Sequence, residues 1–441
     1  MTARAETVAT EAPSWTSLGG SPRISIIGVI IDEGDETKAN SVVIAQNQAS
    51  MFSSMVNLFK NIVGTSMLAM PYGIACCGIL PSIFLAMLLA VLSSFTFTLL
   101  GSLCASLSQK TYRGICESYI SPRAGIYAEL LLAMYTFPSC IAYVVFVIFC
   151  VLKMLPDDSS VYCTRWFVGL CLTVFVLLPL CCVSKIDSLT YTSFLGVLAT
   201  IYCYVFVSVD LAQNSDVIDQ NVAGTFWGPP SGSLLGVFPM ANILAALYLV
   251  HYNAPTFYNE LANNTHRRFS ILSYTIMCLS GIFCISFAIL GFARWGVIVP
   301  QNLLLEYTGA YPVWIATCVS VLTTYPLVFE AGRRSLLSVC ESVFPRISAR
   351  KIYWTSTFVL VPFFSMVGVF VTNLAVVVGI NGALCGLTVG FTLPGYLLVC
   401  WAKKNDANWT QIATGWALVA FGVSMSTLGL ISLFIDLAPR H

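Results

Sequence analysis

Apolar residues run through most of this chain in blocks long enough to cross a bilayer, and polar residues collect in the short gaps between them. A helical crossing needs about 20 predominantly apolar residues. Eleven segments reach that length, at 52–76, 79–107, 125–154, 164–183, 187–212, 233–260, 269–294, 309–331, 354–376, 379–401 and 411–436. In lipid each backbone polar group must be paired within the protein, and a helix does this inside one segment. The pattern therefore predicts an all-α membrane protein of about 11 transmembrane helices. The longest connection, around Gln213 to Gly232, leaves no room for an inserted soluble domain. Residues 1–47 differ: they are rich in Ala, Thr, Ser and Gly, and their apolar piece Ile24 to Ile31 is too short to span. They read as a disordered cytoplasmic tail without a signal peptide, ahead of a transmembrane domain at 48–441.

Composition agrees with this picture. Hydrophobic residues make up 57% of the chain and charged residues 9%, against about 25% charged in an average soluble domain. So few charges cannot cover a water-facing surface of this size, so lipid is the expected neighbour. The 17 cysteines fall mostly inside apolar runs, as small hydrophobes. They form no CxxC pair and no Cys/His metal spacing.

The placement of the charges gives an orientation. Cytoplasmic loops carry an excess of Lys and Arg. With the N-terminus inside and the segments alternating, 16 of the 21 basic residues lie on the inner side, among them Arg113, Arg267, Arg268, Arg333, Arg334, Lys403 and Lys404. Four lie outside, Lys153, Arg165, Arg294 and Arg440, while Lys60 sits within the first segment. The two N-x-S/T sequons, at Asn263 and Asn408, both fall in loops placed inside.

Three segments carry polar groups where lipid would exclude them. The first contains Lys60 and Asn61, then Val63-Gly64-Thr65-Ser66 and Pro71. Lys at a helix centre costs about 2.5–3.5 kcal/mol on insertion scales. Gly64 tolerates an irregular backbone, and such a backbone survives at membrane depth only where it lines a protein cavity. An opened helix offers free N–H groups and a positive dipole end to a carboxylate, and free carbonyls to a cation or ammonium. The same residues also fit a glycine kink that serves helix packing. The sixth segment is polar too, and Pro239 and Pro255 interrupt it. Paired interruptions in corresponding positions of two halves mark the substrate site of many transporters. Within it, His251 reads either as a histidine bonded to a nearby carbonyl or as a pH-sensitive gate, and Glu260 as a partner of a cytoplasmic arginine such as Arg267 or Arg268. In the eighth segment Thr323 and Thr324 precede Pro326. Their hydroxyls either donate oxygens to a small cation or bond back to their own helix.

These stretches together resemble the amino acid/auxin permease family. NLFKNIVGTSMLAMPYG at 57–73 is similar to its first-helix pattern, HYNAPTFYNEL at 251–261 to its sixth, ILGFARWG at 289–296 to its seventh, TTYPLVFEAGRRSL at 323–336 to its eighth, and NLAVVVGINGALCGLTVGFTLPGYLLV at 373–399 to its tenth. The resemblance runs over 50–436. It implies a 5+5 inverted repeat with broken helices 1 and 6, and amino acid transport by alternating access. It implies that the backbone of Val63, Gly64, Thr65 and Ser66 takes the substrate carboxylate, and that Ala245, Ala246, Leu247 and Tyr248, running to Leu249, take the amino group. In the sodium-coupled branch an ion would touch the first and eighth helices, where Asn61 and Thr324 match. Lys60 is more similar to the proton-coupled branch, and 251–261 to the sodium-coupled or vacuolar one, so the coupling ion stays H+ or Na+. Thr323 and His251 complete the candidates for ion coupling or gating.

The expected function is secondary active transport of amino acids in the plasma membrane or a vacuolar or lysosomal membrane. The residues 245–248 offer neither a carboxylate nor an arginine, which favours neutral substrates. No Gly-x4-Gly-Lys-[ST] loop is present to bind ATP, and no hydrolytic or dinucleotide motif points to an enzyme. The rival reading is a transporter-like amino-acid sensor that signals through the tail. No cofactor or metal is expected, nor any nucleic acid; the expected partners are the amino acid and lipid, and the expected state is a monomer.

Overall fold

The computed structural model describes residues 49–437 apart from 108–110, 156–163, 183–189, 223, 229–231, 233–235, 308, 344–347 and 372–379. The tail expected at 1–47 lies outside the described residues. The described chain is helical, and its β pairing is an isolated bridge between Ala49 and Leu261. The main helices are α1 (Met51–Ile62), α2 (Ser66–Cys77), α3 (Ile79–Leu107), α4 (Tyr112–Tyr119), α5 (Pro122–Met154) and α6 (Arg165–Cys181). There follow α7 (Thr190–Gln213), α8 (Val237–Tyr248), α9 (Ala254–Glu260), α10 (His266–Trp295), α11 (Tyr311–Val343), α12 (Ala349–Phe370), α13 (Gly382–Lys404) and α14 (Trp409–Leu437).

Local chemistry sets several of the starts. Ser50, Thr111, Ser121 and Thr265 each accept a hydrogen bond from the backbone N–H three residues on, at 3.1–3.3 Å. These are N-caps that satisfy donors the first helical turn leaves free. Pro122 follows its cap in the first turn of α5, where a missing N–H costs nothing.

Among the described residues nine helical stretches are long and apolar enough to cross a membrane. The first and fourth expected segments hold shorter apolar helices, Ser66–Cys77 and Arg165–Cys181. The interior is not shared equally. In the most apolar stretch of α11, 72% of residues are buried, against 28% in α7 and 22% in α14. α11 therefore forms the centre of the bundle, and α14 and α7 face outward. α11 also runs well past the expected end at 331, to Val343. That carries Arg333 into the protein: the sequence reading counts it as a loop charge, yet its side chain is fully buried.

Contacts between connections fall into two sets, one at each end of the bundle. At one end Ala49 donates to the Glu260 carbonyl at 2.7 Å and accepts from Ala262 at 2.9 Å. There Arg113 also reaches the Ser338 carbonyl at 2.7 Å, and Lys404 the Ser118 carbonyl at 3.2 Å. At the other end Ile79 donates to the Thr225 carbonyl at 3.0 Å, Asn221 to that of Ala293 at 2.9 Å, and Arg165 to that of Val369 at 2.9 Å. An alternating chain places these residues on the same two sides.

Candidate substrate and ion site

The first expected segment is broken. α1 ends at Ile62, Val63 leaves helical geometry at φ −83°, ψ 88°, and α2 begins at Ser66. Gly64 donates back to Ile62 at 3.0 Å, and Leu68 to Thr65 at 3.1 Å, which tightens both lips of the gap. The N–H groups of Thr65 and Ser66 donate to no acceptor among the described residues. Two free donors at the head of α2 make an anion-binding end, reinforced by the helix dipole. Gly64 is not in the left-handed region, and a Cβ placed on it would meet the Tyr143 hydroxyl at 3.7 Å, an ordinary contact. The opening thus follows from the local bonds and not from a conformation that glycine alone could hold.

The sixth segment breaks as well. α8 ends at Tyr248, Leu249 turns away at φ −81°, ψ 79°, and a single tight turn at His251–Asn253 leads into α9. Ala245, Ala246, Leu247 and Tyr248 are the last turn of α8. Val250 donates to the Tyr248 carbonyl at 2.9 Å. The carbonyls of Ala245, Ala246 and Leu247 accept no loop backbone N–H among the described residues. Orphan carbonyls at a helix end are acceptors suited to an ammonium. The Tyr248 hydroxyl points to the Ala86 carbonyl of α3, 3.4 Å away, so this residue offers its backbone and not its side chain.

One hydrogen bond ties the two breaks together. The Tyr252 hydroxyl donates to Asn61 Oδ1 at 2.8 Å. Tyr252 stacks at a tilt on Tyr135, 5.4 Å between centroids, and the Tyr135 hydroxyl reaches the Leu249 carbonyl at 3.4 Å. Asn61 is thereby engaged with the sixth segment. The hydroxyls of Thr323 and Thr324 both donate to the Ser320 carbonyl, at 2.9 and 3.0 Å. His251 is turned towards α3, with Nε2 2.8 Å from Thr96 Oγ1 and 3.2 Å from the Ser93 carbonyl, between Phe97 and Phe391. The structure thus brings Asn61 to the sixth break, bonds the Thr323 and Thr324 hydroxyls back to their own helix, and sets His251 on a separate interface.

Lys60 stands out in the sequence, but several of its neighbours at the site do not. Lys60 donates to the Val63 carbonyl at 3.1 Å and to Ser320 Oγ at 2.7 Å, and Ser320 is 2.8 Å from Thr200 Oγ1 in α7. Thr200 is one of several hydroxyl residues in its segment, and nothing in the sequence marks it out. α13 opens with two π-turns, Gly382–Gly386 and Thr388–Thr392. Gly386 and Gly390 let Leu249 approach to within 3.5 Å of where a Cβ would stand. The signal was available here, as glycines at every fourth position from 382 to 390. Glu260 lies 3.9 Å from Arg334 of α11, one of the basic residues the charge pattern puts on the inner side.

A narrow cleft, no roomier than about one water molecule, lies beside the first break between Gly64, Thr65 and Leu68, Thr200 and Cys203 of α7, and Thr317 and Ser320 of α11. No carboxylate or guanidinium lines it.

An all-helical membrane bundle with two of its crossings broken at mid-length is the build of a solute transporter. The chain belongs to the family described as transmembrane amino acid transporter protein, whose model matches residues 47–435. It is 25% identical to "Sodium-coupled neutral amino acid transporter 7" of Xenopus laevis over 390 residues, which covers 81% of this chain and 83% of the relative. It is 23% identical to "Vacuolar amino acid transporter 2" of Saccharomyces cerevisiae, covering 95% of this chain and 90% of that one. In fold it is similar to a Na+-coupled sialic acid symporter solved in a substrate-bound outward-open state, with a TM-score of 0.56, 11% identity, and coverage of 88% and 96% of the two chains.

Proposed function

We propose that this protein is a secondary active transporter that carries neutral amino acids across its membrane by alternating access. The observation that carries the reading is the pair of chemically opposite breaks joined by the Tyr252–Asn61 bond. The free N–H groups of Thr65 and Ser66 suit the carboxylate of a zwitterion. The end carbonyls of Ala245, Ala246 and Leu247 suit its ammonium group. A cleft lined by Leu68, Thr200, Cys203 and Thr317, with neither a carboxylate nor a guanidinium in its wall, favours neutral substrates. The cleft is too narrow here for an amino acid, so binding requires the helices around it to part, as alternating access demands. The distribution of Lys and Arg supports an N-terminus on the cytoplasmic side.

Uptake of a panel of labelled amino acids into proteoliposomes, with and without sodium and across a pH gradient, tests the reading. Accumulation of neutral amino acids above the equilibrium level under an ion gradient is the expected result. Absence of accumulation for every member of the panel overturns it.

A further inference from the structure

Lys60 is the one feature of the first break that zwitterion binding leaves unexplained. Its side chain is fully buried. Among the described residues it forms no ion pair with a carboxylate. Two of its three possible N–H donors go to the Val63 carbonyl at 3.1 Å and to Ser320 Oγ at 2.7 Å.

The first of these contacts alone is a helix C-cap. Lys60 is in the last turn of α1 and curls over the end of its own helix, where the dipole favours a positive charge. The second contact goes further, because Ser320 is 260 residues away in α11. The hydrogen bonds beyond it have a single direction. Thr200 donates to the Gly196 carbonyl at 2.9 Å, so Ser320, having accepted from Lys60, donates to Thr200 at 2.8 Å. Space is shaped for the lysine as well. A Cβ added at Gly196 would stand 2.5 Å from Lys60 Cε and would collide with Thr323 Oγ1. The amino group is thus held by a main-chain carbonyl of the first break and a hydroxyl of α11, with α7 cut back to admit its stem. A carbonyl and a hydroxyl are oxygen ligands of the kind a small hard cation takes, so the amino group fills a position such an ion could hold.

We infer that the Lys60 amino group is a tethered cation standing where a coupling sodium ion would otherwise bind, so that transport by this protein needs no sodium. The inference rests on the transport reading for its meaning, but its test does not depend on transport alone. Lys60 bridges the end of α1 to α11 permanently, whereas a free ion would do so only while bound. It is therefore an ion-specificity residue.

Melting of the purified full chain is compared in sodium chloride and in choline chloride at equal ionic strength, and uptake is measured in the same two salts. Wild type is expected to melt at the same temperature and to transport equally in both. Lys60→Ala, which leaves the Val63 carbonyl and the Ser320 hydroxyl around a space for a small cation, is expected to gain a saturable, sodium-specific rise in melting temperature. A sodium-specific rise in the wild type, or loss of wild-type uptake in choline, overturns the inference. So does Lys60→Ala transport at the wild-type rate in choline. If no amino acid is taken up, the transport reading fails, while the wild-type melting comparison still decides the place of Lys60.

Discussion

At the scale of single residues, the first break rests on bonds made by its neighbours. Gly64 is flanked by tight turns, and its own position has room for a methyl group, with the Tyr143 hydroxyl 3.7 Å from the built Cβ. Gly64→Ala should therefore fold with a stability within about 1 kcal/mol of wild type, part of it gained by stiffening the unfolded chain. Gly64→Val should express and melt nearly as well but lose uptake, because its branches enter the cleft beside Thr65 and Ser320. Comparing expression, melting and uptake for the two variants checks this, and full uptake by Gly64→Val would contradict it. The chemistry of this stretch was legible in the sequence, since Lys, Asn, Gly, Thr and Ser stand together where lipid would reject them. The directions of the side chains were not. Asn61 matches an ion ligand by position, yet it accepts from Tyr252, 191 residues away, and no local pattern encodes that meeting.

At the scale of elements, the sixth segment shows what prolines do and do not reveal. Pro239 and Pro255 marked it as interrupted, but the gap falls between them, at Leu249 and Val250. Pro255 sits in the first turn of α9, where its missing N–H is harmless, and so announces the start of the second half and not the break itself. The inner part of α11 shows a second hidden feature. Arg333 donates to the Cys181 carbonyl at 3.0 Å, to Thr357 Oγ1 at 2.6 Å, to the Tyr353 hydroxyl at 2.7 Å and to Glu330. It thereby pins α6 and α12 to α11. Arg334, a third exposed, reaches Thr256 of α9 at 2.9 Å and lies 3.9 Å from Glu260. The two adjacent arginines should behave differently when removed. Arg333→Ala removes a buried charge paired with Glu330 and should destabilise the fold by about 3–5 kcal/mol. Arg334→Ala should cost at most about 1 kcal/mol. Its effect should instead be easier opening at that end, seen as faster labelling of a cysteine introduced at Thr256. Equal losses of melting temperature for both variants would refute the distinction.

At the scale of the whole molecule, alternation of crossings was legible because hydropathy and basic residues vary along the chain on the length of a bilayer. The two sets of end contacts give the same sides without reference to charge. Which side is cytoplasmic rests on the charges, and the sequons Asn263 and Asn408 test it. Expressed in glycosylating cells, the protein should carry no glycan at either position, while an acceptor sequon inserted in the connection near Asn221 should be modified. A glycan on Asn263 would reverse the orientation. What the sequence could not supply is the way the crossings meet, because that depends on pairs such as Lys60 with Ser320, distant in the chain and ordinary in their own surroundings.

The small backbone pairing of Ala49 with Glu260 and Ala262 has a mechanical result. It sews the entry of α1 to the exit of α9, so these two half-helices cannot swing apart without tearing main-chain bonds at both ends of one residue. Under the proposed alternating access, a doorway at that end would open as a single leaf, hinged at the two gaps, with both halves leaving the doorframe in the same stroke.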